Sequence, residues 1–491
     1  MNEPNSTVFG AFVGGRVVHG HGPQTEMRDP ATGRLWGHAT DSLDLVDAAL
    51  DSATQAARDP RWRDLDATQR GRLLLRLADL IEANAEQLAP LEVRAAGKLL
   101  KTTQREMARA AAWYRFFGGL ADKMPGQSIR LSVSAEAKTV REPIGVVAAI
   151  TPFNGPFSLG AWKMAPALAA GNVIVVKPPL ECPGTTLLLG ELAIEAGFPA
   201  GVINVVPGGA EVGQALVSDR RVDMVSFTGS SPTARRIGAE AGALMKRFVC
   251  EAGGKSAHIV FDDADLDSAL IAARQGVFSN AGQTCVAGAR LLVHRSHYEN
   301  VLERLIEGAA RLRLGNPLDP KTHIGPLASK RQFDRVSAMV SRAKSEGAQV
   351  FGGGKPDLPS PFDEGYFFKP TIIVGAGTGT EIWREEVFGP AVAVVPFDDE
   401  DEAVVMANDS EYGLAAGMWT RSMARADRVS RRLRAGTVWV NTYRMMDYRV
   451  PFGGYGQSGL GRENGIDAVR EFQMIKAVVT DHAPPLDPFA D

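Results

Sequence analysis

The chain is poor in cysteine, with three thiols in 491 residues: Cys182, Cys250 and Cys285. Three cannot build a disulfide framework, and their scarcity fits a reducing compartment. Neither sign of charge is in excess. The 54 Lys and Arg stand against 57 Asp and Glu, a formal net charge of −3, so there is no electrostatic case for nucleic acid or an acidic membrane. Long hydrophobic runs are missing too. No apolar stretch approaches the roughly 20 residues that cross a bilayer. The N-terminus, Met1-Asn2-Glu3-Pro4-Asn5, lacks the basic start and apolar run of a signal peptide. The expectation is a soluble cytoplasmic protein without nucleic-acid or membrane partners. His294 and His297 have the spacing of a metal pair, but no further ligands cluster nearby and no metal is expected.

Composition is otherwise that of a soluble globular protein, 45% hydrophobic and 23% charged, and the length implies two or more domains. Residues 41–121 read as mostly helical: Leu73, Leu74, Leu77, Leu80 and Ile81 form one apolar stripe. Segments 128–133 and 137–140 alternate with period two, as a hairpin does. From 145 onward short apolar runs alternate with helix-like stretches: 146–150, 173–176, 202–206 and 224–227, and in a second series 257–261, 290–294, 391–395 and 437–440. That alternation argues for parallel sheets of the dinucleotide-binding type. The tail, 474–480, reads as one more strand.

Cys285 closes Gly282-Gln283-Thr284-Cys285, and its small polar neighbours allow a substrate close approach. It reads as a nucleophile or as a small buried hydrophobe; Cys182 and Cys250 read as the latter. Glu251 stands in a glycine turn, Glu251-Ala252-Gly253-Gly254-Lys255, either solvated or a general base. Asn154, between Pro152 and Pro156, is a turn residue or a donor to a carbonyl oxygen. Phe227-Thr228-Gly229-Ser230 joins a strand to a helix and can offer backbone N–H groups to a pyrophosphate. Lys177 closes a strand where a ribose or phosphate would lie.

Together with Glu385-Glu386-Val387-Phe388-Gly389-Pro390, Asn441-Thr442 and Pro451-Phe452-Gly453-Gly454, these segments resemble the aldehyde dehydrogenase superfamily over residues 30–475. The resemblance implies an α/β fold: a Rossmann-like cofactor domain (1–121 and 144–252), an α/β catalytic domain (253–470) and a small β oligomerisation arm (122–143 and 471–484) that builds a homodimer or homotetramer. It implies NAD or NADP as cofactor and a small-molecule aldehyde as substrate. Cys285 would attack the aldehyde, Asn154 and the Cys285 N–H would hold the oxyanion, and after hydride transfer Glu251 would activate water against the thioester. Cofactor contacts would come from Ile150, Thr151, Pro152, Phe153, Lys177 and position 180. Gly209, Gly213, Phe227, Thr228, Gly229 and Ser230 would follow, then Gln332, Glu386 and Phe388. The substrate would meet Leu159, Trp162, Thr284, Met445, Met446 and Phe452. These walls are largely apolar, so an apolar or aromatic aldehyde is expected. Arg444 and Arg449 in the same loop leave open a semialdehyde with a carboxylate tail. A CoA-acylating enzyme, a non-catalytic relative and a cysteine hydrolase are the other readings. Three departures stand out: Leu180 where NAD-preferring members often carry Glu, Ala234 for a frequent Gly, and Phe153 for a frequent Trp.

Overall fold

A computed structural model describes residues 7–484. Two large sheets carry the fold. The first has eight strands, ordered Gly459–Leu460, Arg247–Glu251, Met224–Thr228, Val146–Ile150, Val173–Lys177, Ile203–Val205, Ala11–Val13 and Arg16–Val18. Every residue of Val146–Ile150 and Val173–Lys177 is buried. Strands buried on both faces read as unbroken apolar runs, which is why they were legible. Helices Pro156–Ala169 and Gly184–Ala196 pack on this sheet, and outside them lies helix Ala67–Ala83, packed on both. The last begins with Asp66 and Gln69 capping each other reciprocally, and its Leu73, Leu74, Leu77 and Ile81 face the core.

Register aligns the carboxyl ends of the central strands. Ile150 pairs with Lys177 and with Phe227, and Thr228 pairs with Glu251. Side chains from distant segments therefore meet along one edge, the usual place for a ligand in an open parallel sheet.

The second sheet has seven strands, ordered Gln349–Gly352, Thr371–Val374, Ala391–Phe397, Arg290–His294, Ala257–Val260, Ala415–Trp419 and Thr437–Val440. A third, three-stranded sheet pairs Ser128–Arg130 with Ala135–Pro143 and the latter with Gln473–Asp481. Its outer strand exposes Met474, Ile475, Val478 and Val479. No helix among the described residues is long and apolar enough to cross a membrane.

The structure differs from expectation at Glu251. It ends the strand Arg247–Glu251 and is buried at 3% exposure, where the sequence suggested a glycine turn. The five short strands between Thr7 and Thr40 were not anticipated either.

Candidate active site

A cleft of about 550 Å³ opens along the aligned strand ends. One side is formed by Ile150, Pro152, Phe153, Lys177 and Leu180. Gly209 and Gly213, at the start of helix Ala210–Ser218, and the segment 227–230 contribute another. Gln332, Glu386 and Phe388 come from the side of the second sheet, and Cys285, Asn154 and Leu159 line the same cleft. Thr151 lies just behind, its N–H donating to the Lys177 carbonyl at 3.2 Å. Glu251, Trp162, Thr284, Met446 and Phe452 lie outside the lining.

The loop before Cys285 is strained. Asn280 and Ala281 have φ of 55° and 51°, and Gly282 has 73°. A left-handed non-glycine residue costs on the order of 1–3 kcal/mol, so two in succession require a framework that holds them. Asn154 Nδ2 and Asn280 Nδ2 each donate to the Gln283 carbonyl at 3.1 Å. The Gln283 Oε1 accepts the Ala328 N–H at 2.9 Å, and the Tyr443 hydroxyl donates to the Val286 carbonyl at 3.1 Å. Asn154 thus uses one amide hydrogen to brace the loop that carries Cys285, and its amide has a second hydrogen to give. Gly254 is required for the same close packing: a Cβ there would lie 2.3 Å from the Cys285 carbonyl oxygen.

Burial pushes the Cys285 thiol up to about 12; Glu251 and Glu386 add to this and Arg444 opposes it. The thiol is therefore protonated at neutral pH in the free protein. Alkylation of Cys285 by iodoacetamide should accelerate with rising pH through the range 7–10 without levelling off, because only the thiolate reacts. A plateau near neutrality, read by mass spectrometry of the labelled peptide, would contradict this environment.

Glu251 has no hydrogen-bond partner on either carboxylate oxygen. Burial and the neighbouring Glu463 raise its pKa well above the ordinary range, against Lys163 and Arg462. Lys163 Nζ is fully buried and donates to Glu463 Oε1 at 2.5 Å and to Ser226 Oγ at 3.3 Å. Sequence reading missed this pair. Its signal was a lone lysine inside the apolar stretch 157–169. Glu386 is also lifted, to about 7, by burial. Its Oε1 accepts the Gly254 N–H at 3.0 Å, and a Cβ on Gly253 would approach Oε2 to 2.7 Å. Phe388 has φ of 53° and meets Phe153 edge-on at 5.7 Å. Gln332 Nε2 donates to the Phe388 carbonyl at 2.7 Å, so Gln332 holds this segment in place. Val217, Ile237, Arg331 and Arg335 also line the cleft and were not foreseen.

On the substrate side Trp162 stacks on Trp113 at 5.6 Å and meets Phe452 edge-on at 5.4 Å. Trp113 and Phe116 both pack against Tyr448. Met445 is 70% exposed. Arg449 is committed elsewhere: it pairs with Asp447 at 2.7 Å and lies over the Tyr448 ring.

The model of the aldehyde dehydrogenase family matches residues 17–478. The chain belongs to the aldehyde dehydrogenase family. A betaine aldehyde dehydrogenase of Brucella anthropi is 43% identical over 477 residues, 96% of each chain. A solved betaine aldehyde dehydrogenase of Staphylococcus aureus in complex with NAD+ has TM-score 0.96 at 36% identity, covering 98% of this chain and 96% of that one. An NAD+ complex of aldehyde dehydrogenase from Bacillus cereus has TM-score 0.93 at 39% identity over 97% of both. The protein is thus an NAD(P)-dependent aldehyde dehydrogenase with the family's α/β fold.

The cleft fits a dinucleotide. Ser230 caps helix Ser231–Ala243 without a side-chain cap bond; Pro232 has no N–H and the Thr233 N–H donates to the Ser230 carbonyl at 3.0 Å, so the first-turn donor left for a ligand is the Ser231 N–H. Thr151 Oγ1 and Thr228 Oγ1 are buried without partners at the strand ends. Lys177 Nζ sits beside the Gly208 carbonyl at 2.5 Å, its pKa lowered to about 8 by burial. When bound, the nicotinamide cofactor supplies the hydride acceptor.

Proposed function

We propose that this aldehyde dehydrogenase oxidises an aldehyde with an apolar body to its carboxylic acid, with water as the final acyl acceptor. The observation that carries the reading is Cys285 on a strained, braced loop in the same cleft as the cofactor candidates, with the Asn154 amide bonded to that loop. The Cys285 thiol releases its proton to water as the sulfur adds to the aldehyde carbon, and the second Asn154 hydrogen and the Cys285 N–H donate to the resulting oxyanion. After oxidation to the thioester, Glu251 takes a proton from water as it attacks. Its raised pKa suits that task, since a base titrating nearer the working pH drives proton transfer better than an ordinary carboxylate. Aldehyde-dependent reduction of NAD or NADP, with free acid as product, tests the whole reading. Formation of acyl-CoA on adding CoA would replace its hydrolytic half.

The Trp113–Trp162–Phe452 cluster supports an apolar body. Betaine aldehyde, in the relatives' names, is a small quaternary cation, and aromatic faces also accept cations. Arg444, whose charge acts on Cys285, opposes that choice. The eight-stranded sheet is assigned to the cofactor-binding domain and the seven-stranded sheet to the catalytic domain. The apolar outer strand Gln473–Asp481 supports assembly into a homodimer or homotetramer. The free thiol chemistry suits a reducing compartment such as the cytoplasm.

Leu180 lines the cleft near Lys177 and packs against the buried cluster of Met27 and Trp36. It offers no acceptor to a ribose hydroxyl and no negative charge against a 2′-phosphate. Leu180→Glu should therefore tighten NAD and weaken NADP, each by about 1–2 kcal/mol. The ratio of kcat/KM for the two cofactors measures this. An unmoved ratio would show that position 180 does not face the ribose.

A further inference from the structure

The loop 441–450 is pinned to the nucleophile segment. Tyr443 stacks on the buried His258 ring at 4.6 Å, and its hydroxyl holds the Val286 carbonyl, one residue beyond Cys285. The Trp439 indole N–H donates to the Met445 carbonyl at 2.9 Å. Between these anchors stands Arg444, in a left-handed conformation with φ of 60°. That conformation is uncommon for a long side chain. Its guanidinium comes no closer to a backbone acceptor than 3.4 Å, at the Gln275 carbonyl.

A second arginine reaches the same place from far away in sequence. Arg109, on helix Leu100–Leu120, brings Nη2 to 3.5 Å from the Met446 carbonyl. It lies one helical turn before Trp113 and two before Phe116 (a shared face), and both of these aromatics pack on Tyr448 of the loop. Neither arginine has a carboxylate partner among the described residues. The acids around them are engaged: Glu106 is bonded to Lys98, and Asp447 to Arg449. Glu251 and Glu386 act on the Cys285 thiol, and Arg444 opposes them. Most of Arg444's five donors and Arg109's five are unused, and burial already weighs against the Arg444 charge.

We propose that Arg444 and Arg109 form an anion-recognising mouth beside Cys285, and that the preferred substrate is an ω-oxo carboxylate whose carboxylate docks there while its methylenes lie along Trp162 and Phe452. The proposal rests on the reading of Cys285 as the nucleophile, and it narrows the substrate class of that reaction. A planar guanidinium matches a carboxylate with two parallel hydrogen bonds. Two arginines with no ion-paired carboxylate among the described residues, the nearby Glu106 and Asp447 being bonded to Lys98 and Arg449, would repel a cation of the same length. Arg449, the other arginine of the loop, takes no part because Asp447 already neutralises it.

The test compares an ω-oxo carboxylate, its methyl ester and a trimethylammonium aldehyde of similar length, in wild type, Arg444→Met and Arg109→Met. Wild type should favour the carboxylate over the ester by about tenfold to a hundredfold in kcat/KM, the scale of one or two charged hydrogen bonds. The preference should lie in KM and shrink with added salt. Arg444→Met should bring the carboxylate-to-ester ratio close to unity, and Arg109→Met should lower it less. If a variant does not fold, the wild-type charge series and competitive inhibition by the dicarboxylate product still decide. A wild type that prefers the ester or the trimethylammonium aldehyde overturns the proposal, as does a ratio that survives both substitutions. Failure to oxidise any of the three, with Cys285 still open to alkylation, would overturn the reaction itself rather than the charge preference alone.

Discussion

Replacing Cys285 by Ala should abolish aldehyde-dependent cofactor reduction, by on the order of 10⁵-fold or more, while cofactor binding stays near wild type. Only the sulfur can form the covalent bond. Cys285 shares its cleft with the dinucleotide candidates, but Lys177, Ser230 and the strand-end threonines stand in separate segments. The loop should survive the change because its bracing runs through backbone carbonyls and neighbouring amides: Asn154 and Asn280 hold the Gln283 carbonyl, and Tyr443 holds that of Val286. The measurement pairs steady-state absorbance of the reduced nicotinamide with cofactor titration by fluorescence quenching. Substantial turnover in the variant would remove Cys285 from the mechanism. Loss of cofactor binding would mean that the thiol supports the cleft rather than the reaction.

What could be read in the sequence, and what could not, follows from how each element is buried. The strands of the first sheet were visible because Val146–Ile150 and Val173–Lys177 are covered on both faces and carry no polar alternation. Ala415–Trp419 was not. It is Ala-Ala-Gly-Met-Trp, without a β-branched residue. Gly417 stands in this strand because a Cβ there would lie 2.4 Å from the Tyr443 ring. Glu251 looked like a loop acid because two glycines follow it. Those glycines mark close approach rather than a solvated turn, Gly253 to Glu386 and Gly254 to the Cys285 backbone. Residues that act by pairing across the fold were the hardest to find. Lys163 and Glu463 are 300 positions apart and Arg109 and Met446 are 337 apart. Neither pair leaves a local pattern beyond a charge in an apolar stretch.

The Glu251→Gln variant should separate the two halves of the reaction. Gln keeps the size of the side chain but cannot take a proton, so acylation and oxidation proceed once and hydrolysis stalls. A rapid burst of reduced cofactor, close to one per active site, should precede a steady state slowed by about 10²–10⁴-fold. The environment of Glu251 adds a pH signature. Burial and Glu463 hold its carboxyl well above the ordinary range, so it is protonated, and inactive as a base, at pH values where a free glutamate is ionised. Wild-type steady-state turnover limited by hydrolysis should therefore rise with pH through a transition well above the usual carboxylate range, and Gln should erase that limb while leaving the burst. Because both Glu251 oxygens lack partners, the substitution breaks no hydrogen bond of the resting protein, and a loss of folded protein is not expected. Disappearance of the burst itself would move Glu251 to an earlier step, the deprotonation of Cys285. Its charge already raises the thiol's pKa, so an ionised Glu251 would have to accept that proton rather than stabilise the thiolate it leaves behind.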